Sequence, residues 1–161
     1  MDPDALYYIF REKFGVTSKD SKRNSWWKWS RSCVEAADFM SNFTDVDDFR
    51  SFVTQFDYNK PTRMALPLLI STKISGIGFA LACDCLKELG FLSYPKPDVH
   101  LIEVFSQIGL SKENPISVFE AIVEMADVCK EVDPEVTPYK IDKIMWLICC
   151  LLYTSDAADD S

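Results

Sequence analysis

Residues 73–98 read Lys73-Ile-Ser-Gly-Ile-Gly78-Phe-Ala-Leu-Ala-Cys-Asp-Cys-Leu-Lys-Glu-Leu-Gly90-Phe-Leu-Ser-Tyr-Pro95-Lys-Pro97-Asp98. The middle of this stretch, Phe79 to Leu89, is apolar and alanine-rich, with Gly90 as its stop, and reads as one helix. In front of it, Gly76 and Gly78 flank Ile77. Two glycines one residue apart permit a tight turn with positive φ and no Cβ in the way, while Ile77 anchors the turn in the core. Behind it, Pro95 and Pro97 keep Ser93 to Pro97 extended. The stretch therefore predicts a glycine turn, a helix, an extended connector and then an acid at the start of the next helix.

Outward from this point the periodicity stays helical. Leu6, Ile9, Phe10 and Phe14 recur at helical spacing and Gly15 follows as a stop. After a polar loop from Thr17 to Ser25, an apolar stripe of Trp26, Trp29, Cys33, Ala37 and Met40 or Phe39 marks a second helix. Thr44 with Asp47 resembles a capping box, and Val46, Phe49, Phe52, Val53 and Phe56 form the inner face of a third. Tyr58 to Pro61 reads as a turn and Thr62 to Thr72 as a helix kinked or restarted at Pro67. Asp98 to Ile108, Pro115 to Lys130 and Pro138 to Cys149 complete the set. No run alternates with period two for long, which predicts an all-α, compact multi-helix domain.

Composition narrows the function classes. With 48% apolar and 13% aromatic residues in 161, one core of good size can form without disulfides or a structural metal. The acidic start Met1-Asp2-Pro3-Asp4 does not resemble a secretory signal, and no apolar run reaches bilayer length, so the expected location is cytoplasmic with no membrane partner. Cys33, Cys83, Cys85, Cys129, Cys149 and Cys150 form no CxxC pair, and Cys83 and Cys85 point to different sides of a helix; no metal and no cofactor is expected, only buried free thiols. A net charge of −8 excludes gripping nucleic acid by bulk attraction, although Lys19, Lys22, Arg23, Lys28 and Arg31 crowd one short basic stretch.

Ile74-Ser75-Gly76-Ile77-Gly78 followed by Ala82 resembles the helix-hairpin-helix consensus, in which an apolar and a small residue precede Gly-apolar-Gly. Asp98 lies twenty-two residues after Gly76, across one helix and a proline-containing connector, and opens the triplet Asp98-Val99-His100. That order is similar to the hairpin, Gly/Pro-rich loop and aspartate of the base-excision DNA glycosylase superfamily, which includes endonuclease III-like and 8-oxoguanine glycosylase-like enzymes. The triplet is closest to the second branch. The resemblance covers Ile74 to about Ile108 and implies duplex DNA carrying a damaged or mismatched base as partner. It implies DNA-backbone contacts at Lys73, Ser75, Gly76, Ile77 and Gly78, a catalytic carboxylate at Asp98, and a nucleoid-associated monomer.

The chemistry fits the residue types. Consecutive turn amides and a helix N-terminus can face one phosphate. Breaking an N-glycosidic bond develops positive charge on the sugar, which a fixed carboxylate stabilises, or from whose attacking water it takes a proton. The plainer reading of Asp98 is a helix cap, and the two are compatible because a cap also fixes the carboxylate. Bifunctional relatives carry a Schiff-base lysine two residues after the second glycine; Ala80 stands there, so the resemblance implies a monofunctional hydrolase without lyase activity. The alternative is a non-catalytic module binding DNA structure or a protein.

Three further readings complete the sequence. His100, the one histidine, is structural rather than a proton carrier. Trp26 and Trp29 belong to the core, Trp27 and Lys28 to a surface or cleft, and Tyr58, Tyr94 and Tyr139 are equally eligible for a base pocket. From Cys150 the chain reads like a translated sequencing adaptor, which implies that residues 1–149 are one domain truncated at its C-terminus and 150–161 a tail of no function. The tail holds Asp156, Asp159 and Asp160 and no Lys or Arg, so without it the net charge of −8 becomes −5.

Overall fold

Helix caps and stops punctuate the chain much as the periodicity implies. In the computed structural model, residues 1–17 and 20–148 are described in full and residues 149–159 by their backbone. Ser18, Lys19 and residues 160–161 lie outside the described residues, as do the side chains on which the reading of 150–161 as a functionless tail would be judged. The described chain is all helix, with no strand: α1 (Pro3–Phe14), α2 (Ser25–Met40), α3 (Val46–Phe56), α4 (Lys60–Lys73), α5 (Phe79–Glu88), α6 (Val99–Gln107), α7 (Pro115–Cys129) and α8 (Pro138–Asp159). No helix among the described residues is long and apolar enough to cross a membrane.

Local chemistry sets most boundaries. Gly15 ends α1 in the left-handed conformation at φ +61°. Asn24, Asn59 and Asn114 cap α2, α4 and α7 by accepting backbone N–H bonds from Trp26, Thr62 and Ser117. The cap of α3 falls one residue later than Thr44: Asp45 accepts from Asp48 N at 2.9 Å, and the Asp48 carboxylate reaches back to the Thr44 amide at 3.0 Å. An aspartate pair thus replaces the Thr44/Asp47 box, because each carboxylate accepts more strongly than a hydroxyl. α4 runs unbroken through the buried Pro67 instead of restarting there. The ring sits in the core, where packing offsets the one missing N–H.

Two apolar clusters share α7. The first joins Phe49 and Val53 of α3, Leu66 and Ile70 of α4, Ala82 and Leu86 of α5, the connector's Tyr94, and Phe119 and Val123 of α7. The second joins Leu101 and Phe105 of α6, Val118, Ile122 and Ala126 of α7, and Ile141 of α8. α1 packs on α2, which in turn meets α4.

The α1–α2 pairing inverts the expected roles of the tryptophans. Trp27 is half-buried and donates Nε1–H to Asp4 at 2.6 Å, while Trp26 and Trp29 are 39% and 51% exposed. The small Ser30, fully buried with its hydroxyl on the Trp26 carbonyl, sits at the interior of α2, and the large rings sit outside it, Trp29 stacked on Phe10 at 4.8 Å. Helical spacing fixes which rings share a face, not which face is covered.

Candidate active site

The glycine turn joins α4 to α5. Ile77 N–H returns to the Ile74 carbonyl at 3.2 Å, and Ile77 packs against the first apolar cluster. Gly76 alone has positive φ, +84°, and a Cβ there would stand 3.0 Å from Ser32 Oγ. Gly78, by contrast, is extended at φ −81°, ψ 174°, with nothing within 4 Å of a built Cβ, so the strain expected of both glycines belongs to Gly76 alone. Gly78 caps α5 without a side chain. The amides of Gly76, Gly78, Phe79 and Ala80 make no hydrogen bond among the described residues.

Ser75 differs. Its amide donates to Glu35 Oε2 at 2.5 Å, and its carbonyl accepts from the Ser32 hydroxyl. Glu35 also accepts from Arg31 Nε at 2.7 Å. Burial raises the Glu35 carboxyl, but the Ser75 donors and Arg31 outweigh it and hold the group below the usual range. Lys73 is exposed and lines a neighbouring cleft of about 540 Å³ between α2, α3 and α4, together with Glu35 and Asp38. Sequence reasoning missed Glu35, and nothing in the spacing signals it, because the contact spans forty residues.

Asp98 caps α6. Its Oδ1 accepts from His100 N and Leu101 N, both at 3.1 Å, while Oδ2 has no hydrogen bond among the described residues. The carboxylate borders a second cleft of about 220 Å³. Lys87 and Glu88 line it from the end of α5, Lys96 from the connector, and Tyr139, Asp142, Lys143 and Trp146 from α8. Of the three eligible tyrosines, Tyr139 reaches this cleft; Tyr94 is fully buried in the core and Tyr58 is 82% exposed.

Ion pairs hold the cleft's cations. Asp84 accepts from Lys87 at 2.6 Å and from Lys96 at 3.0 Å. Burial raises the Asp84 carboxyl, yet the two ammonium groups outweigh it and keep it low. Burial likewise lowers Lys87, but Asp84 and its neighbours win, so Lys87 stays firmly protonated. Lys143 lies over the Trp146 ring at 5.1 Å.

Asp142 is the second residue sequence reasoning missed. It is 6% exposed, and its Oδ2 accepts the Lys96 amide at 2.8 Å. Burial above all raises this carboxyl, with Asp98 and Asp84 adding to the effect, against the Lys96 amide and Lys87. A signal was present: Pro138, Ile141, Asp142 and Met145 follow the i, i+3, i+4, i+7 stripe of an inner helix face, and an acid in an apolar slot is the anomaly to notice.

The turn precedes α5, whereas Lys87 and Glu88 of the Asp98 cleft end it. A ten-residue helix is about 15 Å long, so the two features stand that far apart along its axis. Among the described residues no cluster of His, Cys, Asp and Glu has the makings of a metal site. Cys83 is buried and Cys85 exposed, on different sides of α5 as the spacing implies. Comparison with protein-family models, with curated proteins and with solved structures returns no match.

Proposed function

We propose that the chain is a monofunctional DNA glycosylase-like protein of base-excision repair. It binds duplex DNA at the glycine turn and hydrolyses the N-glycosidic bond of an extruded damaged or mismatched base at Asp98. The observation that carries the reading is the half-used carboxylate at the edge of a polar, aromatic-walled cleft: Oδ1 is pinned by two helix amides while Oδ2 has no hydrogen bond among the described residues. A group fixed by one oxygen and free at the other is arranged to meet a developing cation.

In this reading the amides of Gly76, Gly78, Phe79 and Ala80 take a backbone phosphate, Lys73 adds a nearby cation, and Ile77, whose own amide returns to the Ile74 carbonyl, anchors the turn. Ser75 contributes the turn's shape, since its own amide is occupied. The base leaves the stack because its glycosidic bond is otherwise out of reach. Asp98 stabilises the sugar cation and takes the proton of the attacking water. With Ala80 where a Schiff-base lysine would stand and Lys87 held protonated by Asp84, the product is an abasic site with the strand intact.

Duplexes containing 8-oxoguanine, an alkylpurine, uracil or a mismatch, incubated with the protein and then heated in alkali, test this. Cleavage only after alkali supports the reading; absence of cleavage on every duplex overturns it. One observation favours a non-catalytic binding module instead, namely that two amide bonds already account for Asp98 as a cap. Under that alternative Asp98→Asn has no turnover to lose.

A further inference from the structure

Hydrolysis of an N-glycosidic bond moves two protons, and one carboxylate serves only one of them. The C1′–N bond breaks and a C1′–O bond to water forms. The water surrenders a proton, and a neutral leaving base must gain one. Asp98, which lines the cleft and whose Oδ2 makes no hydrogen bond among the described residues, suits the first task. The second needs an acid that keeps its proton near neutrality and faces the same cavity.

Resting on the glycosylase reading above, we propose that Asp142 is the proton donor to the departing base, working with Asp98 in the cleft that both residues line. Asp142 lines the same 220 Å³ space, between Tyr139 and Trp146 of its own helix. Only Oδ2 is engaged, by the Lys96 amide at 2.8 Å; Oδ1 makes no hydrogen bond among the described residues. The Lys96 bond also ties α8 to the connector two residues before Asp98, so the two carboxyls hold a fixed relation.

The surrounding charges favour this division of labour. α5 turns Cys83, Asp84, Lys87 and Glu88 toward Asp142, of which Asp84 is neutralised by Lys87 and Lys96. The connector presents Lys96 and Asp98, and α8 itself adds Tyr139 and Lys143. Burial outweighs the cations, and the Asp142 carboxyl is raised from its ordinary value. A pair of carboxyls in one site, one partly exposed and one buried, is the arrangement that separates base from acid.

Asp142→Asn keeps a carbonyl for the Lys96 amide but has no acidic proton, so the connector stays anchored. On a released lesion with a neutral leaving base, single-turnover base release by the unaltered protein should decline as pH rises through the Asp142 carboxyl. In Asp142→Asn the rate should be about 100-fold lower, with that alkaline decline gone and DNA affinity unchanged. A residue that only positions the connector would lower the whole profile without changing its shape, and that result overturns the proposal. Carbon-13 NMR titration of the Asp142 carboxyl, without DNA, should give a midpoint above the ordinary aspartate range; a midpoint within it overturns the assignment independently of turnover. If no duplex is cleaved at all, the glycosylase reading falls and this one with it. If base is released but Asp142→Asn behaves as the unaltered protein, Asp142 alone falls.

Discussion

The two ends of α5 are built differently. At its start, a glycine turn leaves four backbone amides without a hydrogen bond among the described residues and uses one glycine in a conformation that side chains avoid. At its end, ion pairs, a helix cap and a buried acid enclose a polar cleft. The first end offers shape and N–H donors; the second offers held charge. A molecule that grips a phosphate at one end and works on a sugar at the other needs its free carboxylates away from the phosphate, and the carboxylate that does stand beside the turn, Glu35, is paired with Arg31.

The sharpest way to break the comparison is at Asp98. Asparagine caps a helix as well as aspartate does, so Asp98→Asn should change stability by only a few tenths of a kcal/mol. It cannot stabilise a sugar cation, and base release should drop about 100- to 10,000-fold while DNA affinity, read by fluorescence anisotropy, stays within two-fold. Equal loss of both would move Asp98 from the chemistry to the binding surface.

How far sequence carried this far end of α5 is instructive. Asp98 was legible because proline, acid and the next apolar period stand side by side, which is a local signal. The helices were legible for the same reason, since Gly15, Gly90, Pro115 and Pro138 punctuate clear 3.6-residue stripes. What lay hidden was long-range. Glu35 reaches Ser75 over forty residues, and Asp142 reaches Lys96 over forty-six. The tryptophans were misplaced because period alone leaves undecided which face of α2 its neighbour covers.

At the glycine end the comparison sharpens into two substitutions that ought to separate stability from binding. Gly76→Val forces a β-branched residue to φ +84° against Ser32 Oγ, and should cost at least about 1–2 kcal/mol, visible as a lower urea midpoint. Gly78→Thr meets open space at an ordinary φ and supplies a good N-cap, so its midpoint should match the unaltered protein. On the proposed reading its side chain nevertheless stands where the phosphate approaches, and DNA affinity should fall about ten-fold. Unchanged affinity in folded Gly78→Thr would remove that amide from the interface.

A smaller effect tests whether the glycine end is tuned against binding. Glu35 places a carboxylate on the Ser75 amide beside the open donors. Glu35→Gln keeps an acceptor for that amide but removes the charge, and should tighten DNA binding about two- to five-fold at low salt, with the gain fading as salt rises. Weaker binding would mean that Glu35 orders the turn more than it repels the ligand.

The smallest expected effect is a difference of sign. Glu35 titrates below its ordinary value in the folded protein, so its contribution to stability is present above the unfolded pKa of about 4.3 and is lost as pH falls through the lower folded value. Partial exposure of this pair limits the contribution to a fraction of a kcal/mol. Asp142 is raised, so the reverse holds: its contribution is full below about pH 3.9 and is lost as pH rises through the higher folded value. Melting curves between pH 3 and 7 should therefore show Asp142→Asn gaining on the unaltered protein as pH rises, and Glu35→Gln losing. Two curves that move together would mean that Asp142 ionises as freely as a surface acid, and that the two ends of α5 differ in shape but not in how they hold charge.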